Sequence, residues 1–256
     1  MGKATVYTIG NQKGGVGKTT SCIELSAGLQ LKGYKVLLVD ADSQGDLSFS
    51  LRANTEGNTL KEVLQGKCSA KDAIQHTEGG DIIASKPTLA GADMWLESTL
   101  VLRKALEPLK KDYDFIIIDT PRALAKMALN AFAVSDKVII TATTEAYTIN
   151  ATKQIYDTVN YIKETANPAL EIAGILLCMY DNRANICKDL ENLLREDNSR
   201  LLEIDKNIKV FDTVIHKAKH IQEASLLRKD VFSHAPNCRP AVDYMQFIDE
   251  LLKRDK

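Results

Sequence analysis

Val6-Tyr7-Thr8-Ile9-Gly10-Asn11-Gln12-Lys13-Gly14-Gly15-Val16-Gly17-Lys18-Thr19-Thr20 is the stretch that decides the fold. An apolar strand, Val6 to Ile9, runs into a glycine-rich loop, and a helical pattern begins at once behind it. Strand, loop and helix in that order form the setting in which a backbone cradles phosphate. Glycines at 14, 15 and 17 let the chain curl until its N–H groups point inward at phosphate oxygens, and the helix N-terminus adds positive potential. In such a loop Lys18 reaches the β- and γ-phosphates of a nucleoside triphosphate and the Thr19 hydroxyl binds Mg²⁺.

Outward from this loop, further runs are apolar almost throughout: Val36-Leu37-Leu38-Val39, Phe115-Ile116-Ile117-Ile118, Val138-Ile139-Ile140 and Gly174-Ile175-Leu176-Leu177. Runs without alternation are what strands buried on both faces look like. Between them lie segments at helical spacing, such as Ile23, Ala27 and Leu31 behind the loop and Leu102, Leu106 and Leu109 ahead of Phe115. Strand alternating with helix gives an α/β fold, a doubly wound, mostly parallel sheet with helices on both faces. No Pro-, Ser- or Gly-rich linker, low-complexity run or internal repeat interrupts the chain, so a single domain over residues 1–256 is expected. Ligands of such sheets sit beyond the carboxyl ends of the strands, which selects three loops: Asn11 to Thr20, Asp40 to Gly45, and Asp119 to Arg122.

The strict pattern G-x-x-x-x-G-K-[ST] is not met, because the position five before Gly17 is Gln12. Lys13-Gly14-Gly15-Val16-Gly17-Lys18-Thr19-Thr20, with its second lysine, instead resembles the deviant Walker A motif of the superfamily that holds ParA, MinD and the nitrogenase iron protein. The resemblance implies a P-loop ATPase in which these eight residues bind nucleotide and Lys13 reaches across a dimer to the nucleotide of a second subunit. Asp40-Ala41-Asp42-Ser43-Gln44-Gly45-Asp46 resembles the ParA motif Asp-x-Asp-x-Gln-Gly-Asn, with Asp46 where the family usually has asparagine. By that likeness Asp42 supports hydrolysis, and Lys13, Lys18 and Asp42 are the catalytic group. Asp119 closes an apolar run as in a Walker B strand, where the carboxylate holds the Mg²⁺ shell through water. Asp119-Thr120-Pro121 resembles the Asp-Thr-Pro-Pro switch region, with Arg122 in place of the second proline. Arginine leaves φ free where proline fixes it, so a less rigid loop is expected, and of the three environments open to the Arg122 side chain (DNA, a partner protein or water) water is the default expectation.

The likeness continues through Thr59 to Leu64, Leu89-Ala90-Gly91, Gly174 to Arg183, Glu223-Ala224 and Ala241 to Tyr244, and so covers essentially the whole chain. It puts the loop around Met179 to Asn182 and one near Val214 beside the adenine. Cysteines suited to ligating a cluster, as in the nitrogenase iron protein, are missing. MinD lacks Gln44-Gly45 and ends in a basic membrane helix. Here Val242, Met245, Ile248 and Leu252 line one side of the last segment, with Asp243, Asp249 and Glu250 elsewhere, which suits packing on the body better than an anionic membrane.

A net charge of −1 and a pI of about 6.4 do not announce a nucleic-acid binder, so any DNA contact must come from a local patch. From Lys206 to Lys229, six basic residues (Lys206, Lys209, Lys217, Lys219, Arg228, Lys229) stand against two acidic ones (Asp212, Glu223), a local +4. Such a patch neutralises phosphates without reading bases. The resemblance points to Lys217, Lys219, Arg228 and Lys229 as contacts to non-specific double-stranded DNA, although Ile215-His216-Lys217-Ala218 stands where the family often has Ile-Pro-Arg-Asn. His216 and His220 are expected at the surface, Trp95 in the core or between helices. The five cysteines form no C-x-x-C pair and read as reduced core thiols. Neither a signal peptide nor an apolar run of roughly 20 residues is present, so a cytoplasmic, nucleoid-associated protein is expected.

The resemblance thus implies a switch with ATP and Mg²⁺ as cofactors. Two subunits sandwich two ATP molecules, the homodimer binds DNA, and slow hydrolysis stimulated by a ParB-type centromere-binding protein dissolves it. The outcome is partition of a plasmid, mobile element or chromosome. The first strand begins almost at Met1, so no operator-reading helix-turn-helix is expected ahead of it. Other readings share these motifs: a ParA-like positioner of a protein cargo, and an ATP-binding regulator or scaffold whose hydrolysis has lapsed. An enzyme coupling ATP to small-molecule synthesis would need a substrate pocket, which no residue cluster announces.

Overall fold

Apolar runs too short for helices and too continuous for one-sided strands become the centre of an eight-stranded sheet in the computed structural model, which describes residues 3–145, 148–202, 204–205 and 207–255. In chain order the elements are β1 (Thr5–Gly10), α1 (Lys18–Leu31), β2 (Val36–Asp40), α2 (Asp46–Ser50), α3 (Leu60–Leu64), β3 (Ile74–Thr77), β4 (Gly80–Ile83), α4 (Ala92–Trp95), α5 (Val101–Leu106), β5 (Phe115–Asp119), α6 (Lys126–Val134), β6 (Lys137–Ala142), α7 (Thr148–Thr165), β7 (Glu171–Tyr180), α8 (Asn185–Leu202), β8 (Val210–His216), α9 (Lys219–Leu227), α10 (Val231–His234) and α11 (Arg239–Arg254). The strands lie in the order β3-β4-β2-β5-β1-β6-β7-β8. Neighbours are parallel except β3 and β4, an antiparallel hairpin at one edge. The expected mostly parallel α/β sheet is the fold observed.

Every residue of β2 and β5 is buried, because alternate side chains feed cores on opposite faces. Val6, Leu37, Val39, Ile116 and Ile118 meet α3, α5 and α6 on one face. Tyr7, Leu38 and Ile117 meet α1 and α11 on the other, and Val138, Ile140, Ile175 and Leu177 continue the first layer under α7 and α8. Each such Leu or Ile contributes about 1.5–3 kcal/mol relative to exposure.

Two helical stripes differ from expectation. In α1 the buried side chains include Cys22, Leu25 and Leu29, whereas Leu31 is 66% exposed. This helix is clasped from two sides: a Cβ on Gly28 would lie 2.2 Å from Ile248 Cδ1 of α11. A helix covered on both sides carries small and polar residues inside, and apolar spacing alone then misplaces its core face. In α11 the buried apolar side chains include Ala241, Tyr244, Phe247, Ile248 and Leu251, while Val242 is 42% exposed. The helix does pack on the body, against α1 and β8. Val214, expected in a loop, lies within β8. Cys22, Cys178 and Cys187 are buried, Cys68 and Cys238 half-buried, and all five are free. Trp95 is half-buried against the core. Among the described residues no helix is long and apolar enough to cross a membrane.

The corrected stripe has a measurable consequence. Phe247→Ala is expected to lose about 3–5 kcal/mol of stability, and Val242→Ala to stay within about 0.5 kcal/mol, both read from urea unfolding. Comparable losses in the two variants would put Val242 back on the core face.

Candidate nucleotide site

β2, β5 and β1 are consecutive in the sheet, and each passes at its carboxyl end into one of the three loops selected from the sequence. The register sets Asp40 beside Asp119 and Asp119 beside Ile9, so the loops leave the sheet side by side. Backbone and side-chain bonds knit them: Ala41 N–H donates to Asp119 O at 3.0 Å, and the Thr120 hydroxyl donates to Ile9 O at 2.7 Å.

The loop from Asn11 to Gly17 is held open from below. Buried Asn11 donates its amide to Thr141 O on β6 and accepts the Lys13 N–H at 2.7 Å. Gly17, at φ +85, forms the N-terminal cap of α1, and a Cβ there would sit 3.3 Å from Cys178 Cβ at the end of β7. Left-handed backbone and close approach both require glycine. Lys18, only 7% exposed, sends Nζ back to within 3.4 Å of Lys13 O. Thr19 donates its hydroxyl to Asp119 Oδ2 at 2.6 Å, while the other oxygen, Asp119 Oδ1, is buried with no hydrogen-bond partner among the described residues.

The two aspartates at the strand ends differ. Asp40 accepts the Ser48 N–H at 2.8 Å, the Ser48 hydroxyl at 2.6 Å and the Asp42 N–H at 3.1 Å, so it fixes the loop into α2. Burial pushes its carboxyl up to about 6 against those bonds. Asp119 is pushed up by burial and then by Asp40, opposed by Thr19 and Lys18. Burial lowers Lys18, the Asp119 and Asp42 carboxylates raise it, and the Arg122 guanidinium lowers it again. Asp42 itself is half-buried and accepts the Gln44 N–H at 3.0 Å. Lys13 forms an ion pair with Glu145.

Some features escaped the sequence. Asn11 and Ser48 are structural supports with no motif to announce them. Arg122 is exposed, as expected, but its guanidinium is folded over the phosphate loop rather than pointing away: a Cβ on Gly14 would lie 2.5 Å from Arg122 Cζ. The segments expected near an adenine are adjacent to each other, since Lys217 N–H donates to Tyr180 O at 3.0 Å.

A family model described as "AAA domain" (AAA_31) matches residues 4–172. The chain is 33% identical to the chromosome partitioning protein ParA of Caulobacter vibrioides, over 98% of this chain and 95% of that one. The chain belongs to the ParA-type family of P-loop ATPases. A second family member, the sporulation initiation inhibitor protein Soj of Bacillus subtilis, is 34% identical over 98% of each chain. A crystal structure of cobyrinic acid a,c-diamide synthase from Mycobacterium smegmatis, with bound ATP analog and magnesium, superposes with a TM-score of 0.82 at 29% identity, covering 98% of this chain and 95% of that one.

The basic segment spans the length of α9. Lys217 and Lys219 lie at the start of α9, whereas Arg228 and Lys229 follow its end, roughly 13 Å further along at 1.5 Å per residue. Lys219 pairs with Glu223 at 3.2 Å, and Arg228 stacks 3.7 Å over the Phe49 ring. Lys217 and Lys229 are exposed, and Lys206 lies outside the described residues. Arg228 and Lys229 line a cavity of about 830 Å³ beside the phosphate loop, bounded also by Thr20, Glu24, Asp46 and His76. His216 is not a free surface group: its Nδ1 sits 2.8 Å from Asp243 Oδ2, which also takes the His216 N–H. His220 Nδ1 is buried without a hydrogen-bond partner among the described residues.

Glu24, on the α1 face that borders this cavity, accepts the Val231 N–H and is 3% exposed. Burial raises its carboxyl from 4.5 to about 8, with Asp230 adding to the shift. The folded chain therefore keeps a proton that the unfolded chain releases, and stability falls as pH rises between those two values. Glu24→Gln, which keeps an acceptor for Val231, is expected to flatten that fall in chemical unfolding measured from pH 5 to pH 8; an unaltered slope would assign it to other groups.

Proposed function

We propose that this chain is a switch ATPase of the partition type, one P-loop domain across residues 1–256 that dimerises around ATP and Mg²⁺. In that state it binds non-specific double-stranded DNA, and with a ParB-type partner it moves a plasmid, mobile element or chromosome on the nucleoid in the cytoplasm. The observation that carries this is Asp119: one oxygen is held by Thr19 at 2.6 Å and the other is buried without a partner among the described residues, directly under the phosphate loop. Hydroxyl and carboxylate oxygens suit Mg²⁺. Among the described residues no group of three His, Cys, Asp or Glu could hold an ion unaided, so phosphate oxygens and water would complete its shell. The magnesium and ATP analog bound to the M. smegmatis protein, and the partition role named for the Caulobacter relative, support the same reading.

Bound Mg²⁺ would neutralise charge on the β- and γ-phosphates. The chain's own groups do the rest. Backbone N–H groups of residues 13–19 orient the phosphates, and Thr19 and Asp119 keep the metal side in place. Lys18, held across the loop and shielded from water, places its charge on the β- and γ-phosphates. Asp42, at the end of β2, orients the attacking water. Lys13 exchanges Glu145 for the nucleotide of a second subunit. Lys217, Lys219, Arg228 and Lys229 supply the DNA contacts once two subunits combine their basic surfaces. Turnover is slow until the partner protein completes the site.

One observation favours a second reading: the 830 Å³ cavity beside the loop, taken with the name of the M. smegmatis protein, would suit an enzyme that couples ATP to small-molecule chemistry. DNA binding separates the two. With ATP, but not with ADP or without nucleotide, the chain is expected to bind non-specific duplex and to lose that affinity steeply across a salt series. Lys13→Ala should remain monomeric and unable to bind DNA, and Asp42→Ala should give a long-lived ATP dimer. A wild-type protein that dimerises with ATP and ignores DNA at every salt concentration would favour a protein cargo, a regulatory role or the small-molecule reading.

A further inference from the structure

Two cations bracket one stretch of the phosphate loop. Lys18 Nζ returns to 3.4 Å from Lys13 O, and the Arg122 guanidinium covers the next residue, with Cζ, Nε and Nη1 at 2.5, 2.7 and 2.7 Å from the place a Cβ on Gly14 would take. Only a glycine at position 14 leaves room for that approach. Among the described residues Arg122 makes no hydrogen bond or ion pair, although Asp42 and Asp119 both act electrostatically on the neighbouring Lys18. A guanidinium that is folded back beside a like charge and left without an acceptor is unfavourable by itself. It becomes favourable when a polyanion lies between the two cations, since arginine presents a planar fork that matches phosphate oxygens.

We propose that Arg122 is a catalytic residue of this site, a guanidinium that the chain's own switch loop delivers to the terminal phosphate of bound ATP. The inference rests on the ATPase reading above. In the step it assists, the oxygen of water bonds to the γ-phosphorus as the bond to the β,γ-bridging oxygen breaks. The bridging oxygen leaves on ADP with the electron pair, one water proton stays on the phosphate, and the other passes to solvent. Charge accumulates on the γ-phosphoryl oxygens and the bridging oxygen, where a fixed guanidinium lowers the barrier. Proline at this position could not do this, so the intrinsic turnover of this chain carries a contribution that a Pro-Pro loop lacks.

The test uses the full chain and its Arg122→Ala, Arg122→Lys and Arg122→Pro variants, with folding checked by circular dichroism. Affinities for a non-hydrolysable ATP analogue and for ADP are measured alongside single-turnover hydrolysis without partner protein. Arg122→Ala is expected to weaken the ATP analogue about tenfold or more while ADP changes less than about twofold, and to slow hydrolysis about 100-fold. Arg122→Lys should recover part of the affinity and little of the rate, because it restores charge without the fork. Arg122→Pro should behave as Arg122→Ala. Unchanged nucleotide affinities and rate overturn the proposal, as does equal weakening of both nucleotides. Loss of DNA binding alone also overturns it and makes Arg122 a DNA contact. A wild-type protein that binds no ATP would instead defeat the ATPase reading itself, before any variant is compared.

Discussion

Asp40 and Asp119 lie side by side at the ends of β2 and β5 with 0% and 1% exposure, and the site is organised around the cost of keeping both there. A buried carboxylate is tolerated only when hydrogen bonds or a cation compensate it. Asp40 is compensated locally: Ser48 gives it a hydroxyl and an amide, and Asp42 a second amide, which turns the chain from β2 into α2. Asp119 is not. It holds Thr19 with one oxygen and leaves the other unmatched among the described residues, and the nearby Lys18 amine is itself destabilised by burial. A site with an under-compensated anion below and under-compensated cations above is arranged for a polyanion with a bound dication, which satisfies both sides at once.

The sheet order makes that arrangement possible. β1 lies between β5 and β6, so the phosphate loop opens where connections diverge to the two halves of the sheet. From there α1 packs against the C-terminal third. Ser21 meets the Tyr244 hydroxyl at 3.1 Å, Gly17 abuts Cys178, and Gly28 lets α11 approach closely. β8 and α11 pack together, and α9 with its basic flanks follows β8 directly. The phosphate loop is therefore linked through packed side chains to the elements that carry Lys217, Lys219, Arg228 and Lys229.

Much of this was legible in the sequence, for physical reasons. β1, β2, β5, β6 and β7 are buried on both faces and appear as unbroken apolar runs, and the three functional loops follow from the rule that ligands gather at strand ends. β3 and β4 were not legible: each has only four residues, His76 and Thr77 are polar, and an edge hairpin needs little burial. β8 was missed because Asp212, Thr213 and His216 break its apolar pattern. The core faces of α1 and α11 were misplaced because contact from two sides removes the simple stripe. His216 looked like a surface group until Asp243, 27 residues away, was found beside it. Arg122 was visible as a departure from the family pattern, but only the fold showed which surface it covers.

The most direct test of the central claim, that Asp119 is reserved for the metal side of a nucleotide site, is ATP affinity with and without Mg²⁺ in the wild type and in Asp119→Asn. The account predicts that Mg²⁺ tightens wild-type binding about tenfold or more, and that the asparagine variant loses most of this gain while its affinity without Mg²⁺ does not fall. Equal affinity with Mg²⁺ and with chelator in the wild type, or an undiminished Mg²⁺ effect in Asp119→Asn, would contradict it.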